Sequence, residues 1–210
     1  MAETEPPACR LYLVLPSGLA AGDAPEAVAG QLATALEAGE VACVLLRTGR
    51  LDDRAALRAA RALGPVAQAR DVAFLVEDRP EIARESGADG VHLSGGEAAV
   101  ARLRETIGPE AIVGVSCGVS RHAAMLAGEA GADYVAFEGE EAELKDLLDW
   151  WQGLMTLPCV ALGGVTLENA AALARAGADF LALEEAVWEH PDGPGAAVEA
   201  FAARLAEADR

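Results

Sequence analysis

Four times the chain passes from a helix-forming stretch into an apolar run through nearly the same phrase. These are Ala38-Gly39-Glu40-Val41, Gly87-Ala88-Asp89-Gly90-Val91, Gly131-Ala132-Asp133-Tyr134-Val135 and Gly177-Ala178-Asp179-Phe180-Leu181. A glycine at this point can take the left-handed conformation that ends a helix, and the apolar run behind it reads as a buried strand. The interval between phrases is 44 to 48 residues, too long for one strand and one helix. Midway through each interval lies another buried run, namely Val72 to Val76, Ala111 to Val115 and Cys159 to Leu162. With Leu11 to Leu15 at the front, eight strands are expected.

Between the strands, Ala, Leu, Glu and Arg dominate, as in Gln31 to Leu36, Ala55 to Leu63, Ala98 to Arg104, His122 to Ala130 and Ala170 to Ala176. Their apolar positions recur at helical spacing. Strands apolar throughout that alternate with helices predict a parallel sheet covered by helices. Eight such units within 210 residues favour closure into a single-domain α/β TIM (β/α)8 barrel. Residues 1–10 then form a short extension and residues 11–210 the barrel. An open doubly wound sheet is the runner-up. It calls for a glycine-rich dinucleotide fingerprint after its first strand, and Pro16-Ser17-Gly18-Leu19-Ala20-Ala21-Gly22 does not supply one.

Charge and cysteine usage narrow the function classes. A net charge of −18 opposes nucleic acid or an anionic membrane as partner, because either is repelled over most of such a surface. A phosphorylated small molecule needs only a local pocket. Met1 to Pro7 is acidic and proline-bearing, unlike a signal peptide, and no apolar run reaches membrane-spanning length. Cys9, Cys43, Cys117 and Cys159 lack metal-type spacing and read as reduced core thiols of a cytoplasmic protein. Cys117, just past a strand end, is the one candidate nucleophile among them. Trp150 and Trp151 are adjacent on a predicted helix and cannot share a face, which points to a homo-oligomer through one of them.

The active site of such a barrel lies at the carboxyl ends of its strands. Those ends carry Arg47 and Arg50, Glu77-Asp78-Arg79, His92-Leu93-Ser94-Gly95-Gly96-Glu97, Ser116-Cys117-Gly118, Glu138 to Glu141, Gly163-Gly164-Val165-Thr166 and Glu184-Glu185. His92 belongs to a strand and reads as packed or hydrogen-bonded rather than as a base. This circuit resembles the thiamine phosphate synthase and thiazole tautomerase family. The most specific piece is Ala88-Asp89-Gly90-Val91-His92-Leu93, beside the family's A-D-G-V-H-L-G-Q. Supporting pieces are Leu46-Arg47 for Q-L-R-x-K, Asp78-Arg79 for N-D-R, Gly114-Val115-Ser116 for G-x-S-x-H, Asp133-Tyr134-Val135 on the sixth strand, and Val160 to Val165 for A-I-G-G-I.

The resemblance implies a transferase of thiamine biosynthesis that joins hydroxymethylpyrimidine diphosphate to a thiazole phosphate and releases pyrophosphate. It implies Mg²⁺ held by Asp78 and Glu97, Arg47 or Arg50 facing the pyrophosphate, and Gly163 with Gly164 as the phosphate loop. Ser116 and Lys145 complete the catalytic candidates, and Glu77, Glu184 and Glu185 fall at substrate-binding positions.

Departures from the family pattern are also visible. Gly49 replaces the lysine of Q-L-R-x-K, Glu77 an asparagine, and Ser94-Gly95-Gly96-Glu97 the segment G-Q-x-D. The sixth-strand loop G-P-I-F-P-T-x-T-K becomes Glu138 to Asp146, and Lys145 matches its lysine only with a one-residue slip. Glu185 stands where a serine holds the thiazole phosphate, so like charge meets like charge there. The tautomerase base is Gly118 here. Three expectations follow: a synthase with a rebuilt phosphate grip, a noncatalytic paralogue that binds a small ligand or a protein partner, or a barrel enzyme acting on an unrelated metabolite.

Overall fold

A computed structural model describes residues 9–15, 18, 25–96 and 99–208. Eight strands are present: β1 (Arg10–Leu15), β2 (Val41–Leu46), β3 (Ala73–Glu77), β4 (Gly90–Leu93), β5 (Ile112–Ser116), β6 (Tyr134–Glu138), β7 (Cys159–Leu162) and β8 (Phe180–Leu183). Each pairs in parallel with the next, and β8 returns to β1, so the sheet closes and the open alternative is excluded. The chain is already in β1 at Arg10, while residues 1–8 and the Pro16 to Gly22 loop, Gly18 excepted, lie outside the described residues.

The described helices are α1 (Pro25–Glu37), α2 (Asp53–Gln68), α3 (Pro80–Ser86), α4 (Val100–Ile107), α5 (Arg121–Glu129), α6 (Glu141–Gln152), α7 (Ala170–Arg175), α8 (Glu185–Trp188) and α9 (Pro194–Ala208). Their starts follow local chemistry where it is strong. Asp52 accepts a hydrogen bond from Ala55 N at 2.7 Å to cap α2, and Ser120 accepts one from Ala123 N at 3.1 Å to cap α5. The short α8 follows β8, so the segment Pro191 to Gly195 leads from one helix into the first turn of the next rather than from a strand. No helix among the described residues is long and apolar enough to cross a membrane.

Alternation along the strands divides the interior into two apolar layers. Tyr12, Val14, Cys43, Leu45, Leu75, Tyr134, Ala136, Val160, Leu162 and Ala182 face into the barrel. Leu13, Val44, Phe74, Val91, Val113, Phe137 and Leu181 face the helices. Cys43, Cys117 and Cys159 are buried, as expected of core thiols, and burial pushes the Cys159 thiol up to about 12. Trp151 is buried, with its indole N–H donated to Leu157 O at 2.7 Å. Trp150 is half-buried, and the Arg121 guanidinium covers its ring at 4.9 Å.

The repeated phrase does more than stop helices. Gly87, Gly131 and Gly177 have φ of 77°, 90° and 102°, as the left-handed reading requires. Gly39 lacks a positive φ, and closeness explains it instead: a Cβ there would stand 2.9 Å from Val198 Cγ1 on α9. The aspartates carry a role not visible in the phrase. Asp133 donates its backbone N–H to Val113 O at 2.8 Å, and its carboxylate accepts the Val113 N–H at 2.7 Å. Asp89 grips Phe74, and Asp179 grips Cys159, in the same reciprocal way. Each aspartate thus clasps the start of an even strand to the odd strand before it. Asp133→Ala strands the Val113 N–H and deprives Arg104 of its 2.8 Å partner, so a loss of about 1–3 kcal/mol is expected. Thermal unfolding should report it as a drop of roughly 2–10 °C. An unchanged midpoint would remove the clasp from the account.

Candidate active site at the carboxyl ends of the strands

The inward parity that places Cys43 and Leu45 inside the barrel carries on, at the carboxyl rim, to Arg47, Glu77, Ser116, Glu138 and Glu184. Apolar layers below and ionisable groups above follow from one alternation. Arg47 leaves β2 and lies between two carboxylates: its Nη2 is 3.3 Å from Glu184 Oε2, and its Nε is 3.9 Å from Glu77 Oε1. The Nε–H is buried and makes no hydrogen bond, so this guanidinium has a donor left for a ligand oxygen.

Glu77 is fixed from both sides. Its Oε2 accepts the Thr48 N–H at 3.0 Å, and its carbonyl accepts the Thr48 hydroxyl at 2.9 Å. Arg79 binds Thr48 O at 3.2 Å, Leu51 O at 2.6 Å and Asp53 Oδ1 at 2.8 Å, so it shapes the β2–α2 loop. The neighbouring Asp78 is held in the left-handed region at φ 52°, a conformation that aspartate tolerates better than most residues. Ser94 grips its carboxylate twice, through the backbone N–H at 2.8 Å and the hydroxyl at 2.5 Å. Sequence reading assigned no role to Thr48 or Ser94. Their polar character beside the strand-end carboxylates was the available signal.

Gly163 and Gly164 follow β7 with φ of 80° and 63°, a backbone path that only glycine takes readily. Asn169, buried, secures the turn: its amide donates to Gly164 O at 2.9 Å, and its Oδ1 accepts the Thr166 N–H at 2.8 Å. Together with Thr166, Ala182, Glu184 and Glu185, the two glycines line a cavity of about 400 Å³. Glu185 is exposed at its edge and does not fill it. Glu138 crowds the other side, since a Cβ on Gly163 would meet its Cγ at 3.1 Å. Burial raises the Glu184 carboxyl above its usual range, with Glu185, Glu77 and Glu138 adding to the effect and Arg47 opposing it.

Ser116, half-buried at the end of β5, has its Oγ 2.9 Å from His92 Nε2. His92 is buried, in agreement with a hydrogen-bonded strand histidine, and burial pushes it down from 6.5 to about 4. Cys117 is buried, and its thiol lies 3.5 Å from Val115 O. Arg50 is exposed in the β2–α2 loop. Lys145 lies half-buried on the second turn of α6, and no hydrogen bond or ion pair links it to the rim. Glu97 lies outside the described residues.

No group of three or more His, Cys, Asp or Glu suited to a metal ion occurs among the described residues. Asp78 fits the other way of holding magnesium, in which one or two fixed carboxylates share the ion with substrate phosphates and water. Its carboxylate is exposed, hard in character, and already oriented by Ser94.

The chain is similar to known proteins in sequence and in fold. A family model described as thiamine monophosphate synthase matches residues 11–187. A thiamine-phosphate synthase of Rhodospirillum centenum is 50% identical over 202 residues, covering 92% of this chain and 96% of that protein. One from Hyphomonas neptunium is 45% identical over 208 residues, with 93% of each chain covered. In structure, thiamine phosphate pyrophosphorylase from Pyrococcus furiosus superposes with a TM-score of 0.79 at 24% identity, over 94% of this chain and 96% of that one, a likeness of fold.

Proposed function

The chain belongs to the thiamine monophosphate synthase family, and from that premise we propose that it joins hydroxymethylpyrimidine diphosphate to a thiazole phosphate, forming thiamine phosphate and releasing pyrophosphate. The bond between the pyrimidine methylene carbon and the diphosphate oxygen breaks, and its electron pair leaves with pyrophosphate. The lone pair of the thiazole ring nitrogen forms the new bond to that carbon. Negative charge gathers on the departing group, and this is where fixed cations and N–H donors lower the barrier.

The observation that carries the reading is the buried Arg47 Nε–H, which makes no hydrogen bond, on a guanidinium paired with Glu184, a residue of the cavity that Gly163 and Gly164 line. Arg47 meets the pyrophosphate, and the exposed Arg50 adds a second cation at the mouth. The glycine turn accepts the thiazole phosphate on its backbone, with Glu184 and Glu185 bounding that pocket and Glu77 holding Arg47 in place. Ser116 donates to the pyrimidine substrate. Magnesium, held by Asp78 and Glu97, supplies further positive charge against the departing pyrophosphate when bound. A cytoplasmic location accompanies this reading, supported by the thiols buried in the barrel wall.

The open cavity favours turnover over a noncatalytic role, because Glu185 leaves the space beside the glycines clear. The test is to mix the purified protein with both substrates and Mg²⁺ and to measure thiamine phosphate and pyrophosphate. Equal amounts of the two are expected. Absence of both at millimolar substrate sinks the proposal. Asp78→Ala should raise the Mg²⁺ concentration for half-maximal rate by roughly 10–100-fold, whereas an unchanged requirement would take Asp78 out of the metal site.

A further inference from the structure

Behind Ser116 runs a line of hydrogen bonds that the reaction scheme above leaves unused. Ser116 Oγ lies 2.9 Å from His92 Nε2, His92 Nδ1 lies 2.7 Å from Tyr134 Oη, and Tyr134 Oη lies 2.9 Å from Tyr12 Oη. Strands β5, β4, β6 and β1 each contribute one member, and all but Ser116 are fully buried. The His92 and Tyr134 rings stack, with centroids 5.7 Å apart at 25°. Gly114 makes this contact possible, because a Cβ there would stand 1.9 Å from Tyr134 Cζ. The glycine of Gly114-Val115-Ser116 therefore leaves room for the phenol to reach His92 beneath the site.

A neutral imidazole has one N–H donor and one acceptor nitrogen, and the partner of one nitrogen decides the state of the other. His92 is buried, and both of its ring nitrogens face hydroxyls rather than carboxylates, so nothing there compensates a charged ring. Burial holds the Tyr134 phenol well above its usual range, so it keeps its proton, and an aromatic hydroxyl remains a better donor than an aliphatic one. Tyr134 therefore gives its proton to Nδ1 in a hydrogen bond, and the hydrogen of the ring sits on Nε2. That N–H donates to Ser116 Oγ, which leaves the serine hydrogen free to point into the barrel mouth.

We propose that Tyr134 is a positioning residue that, through His92, sets Ser116 as a hydrogen-bond donor toward a phosphoryl oxygen of the substrate. Only the identity of that oxygen rests on the synthase reading. The orientation of the line is a property of the free protein.

Nitrogen-15 NMR of the histidine-labelled protein without ligand tests the orientation directly, since the chain has three histidines and only His92 is buried. The expected spectrum shows His92 protonated on Nε2 alone. Protonation on Nδ1 overturns the inference, whatever the enzyme assay gives. Tyr134→Phe should mix the two tautomers and lower kcat roughly tenfold, with KM changed less than about threefold. Tyr12→Phe removes an equally buried hydroxyl but spares the bond between Tyr134 and His92. It should leave the tautomer fixed and kcat within about twofold. A loss of kcat in Tyr12→Phe as large as in Tyr134→Phe makes the effect structural and overturns the inference. A wild-type protein that makes no thiamine phosphate would count against the synthase reading alone, and the tautomer result would still decide this one.

Discussion

Arg47→Ala should lower kcat/KM by roughly 10²–10³-fold, the range found when a donor to developing negative charge is removed from a preorganised site. Two features of the rim lead to that size. The Arg47 Nε–H is desolvated without a hydrogen bond, so a phosphate oxygen that reaches it replaces only the long 3.9 Å ion pair with Glu77. Removing the guanidinium also leaves Glu77 and Glu184 facing the same volume with no cation between them, and an incoming diphosphate then meets only like charge. The fold should tolerate the change, because both members of the Arg47–Glu184 pair keep about a third of their side-chain surface in water, where such pairs contribute little. Circular dichroism and the thermal midpoint should therefore stay close to wild type while turnover collapses. Arg47→Lys should recover only part of the rate, since a point charge lacks the planar fork that holds Glu184 and a phosphate together. A kcat/KM within about threefold of wild type for Arg47→Ala would place the pyrophosphate elsewhere on the rim.

This arginine also shows where sequence reading stops. The barrel was legible because its cause is periodic: apolar runs recurred with helix formers between them, and the Gly-Ala-Asp phrase marked the starts of even strands. Asp89, Asp133 and Asp179 were visible as part of that phrase, but their bonds to Phe74, Val113 and Cys159 join neighbouring strands, and no local pattern encodes a partner about 15 to 20 residues away. The rim was harder for the same reason. Glu185 read as a charge set against a phosphate, and Glu77 and Glu184 as substrate-binding positions, because the sequence shows their sign and not their company. In the fold, β2 and β8 flank β1, which brings Glu184 to Arg47 and partly cancels the charge of both. Glu185, one residue further, begins α8 and turns to the edge of the cavity. His92 was read as a hydrogen-bonded strand histidine, and it is one. Tyr134 as its partner depends on the absent side chain of Gly114, a contact that only the closed barrel creates.

The same buried histidine makes the fold sensitive to mild acid. His92 is pushed down from 6.5 to about 4 because burial penalises its charged form. Below pH 6.5 the unfolded chain takes up a proton that the folded chain refuses, so stability falls as pH drops and rises as pH returns. The loss begins near the unfolded value and is complete once the pH reaches about 4, where the folded protein also accepts the proton. Across that window it amounts to something on the order of 3 kcal/mol, a substantial share of the roughly 5–15 kcal/mol that holds a domain together. Carboxylates titrate in the same range, so the contribution must be read as a difference between two proteins. His92→Gln retains a donor and an acceptor for Ser116 and Tyr134 but cannot gain a proton. Urea denaturation at pH 7, 6, 5 and 4 should show it less stable than wild type at pH 7 and converging on wild type, or passing it, by pH 4. Parallel curves would mean that His92 titrates alike in the folded and unfolded protein, and the burial penalty assigned to it would fall.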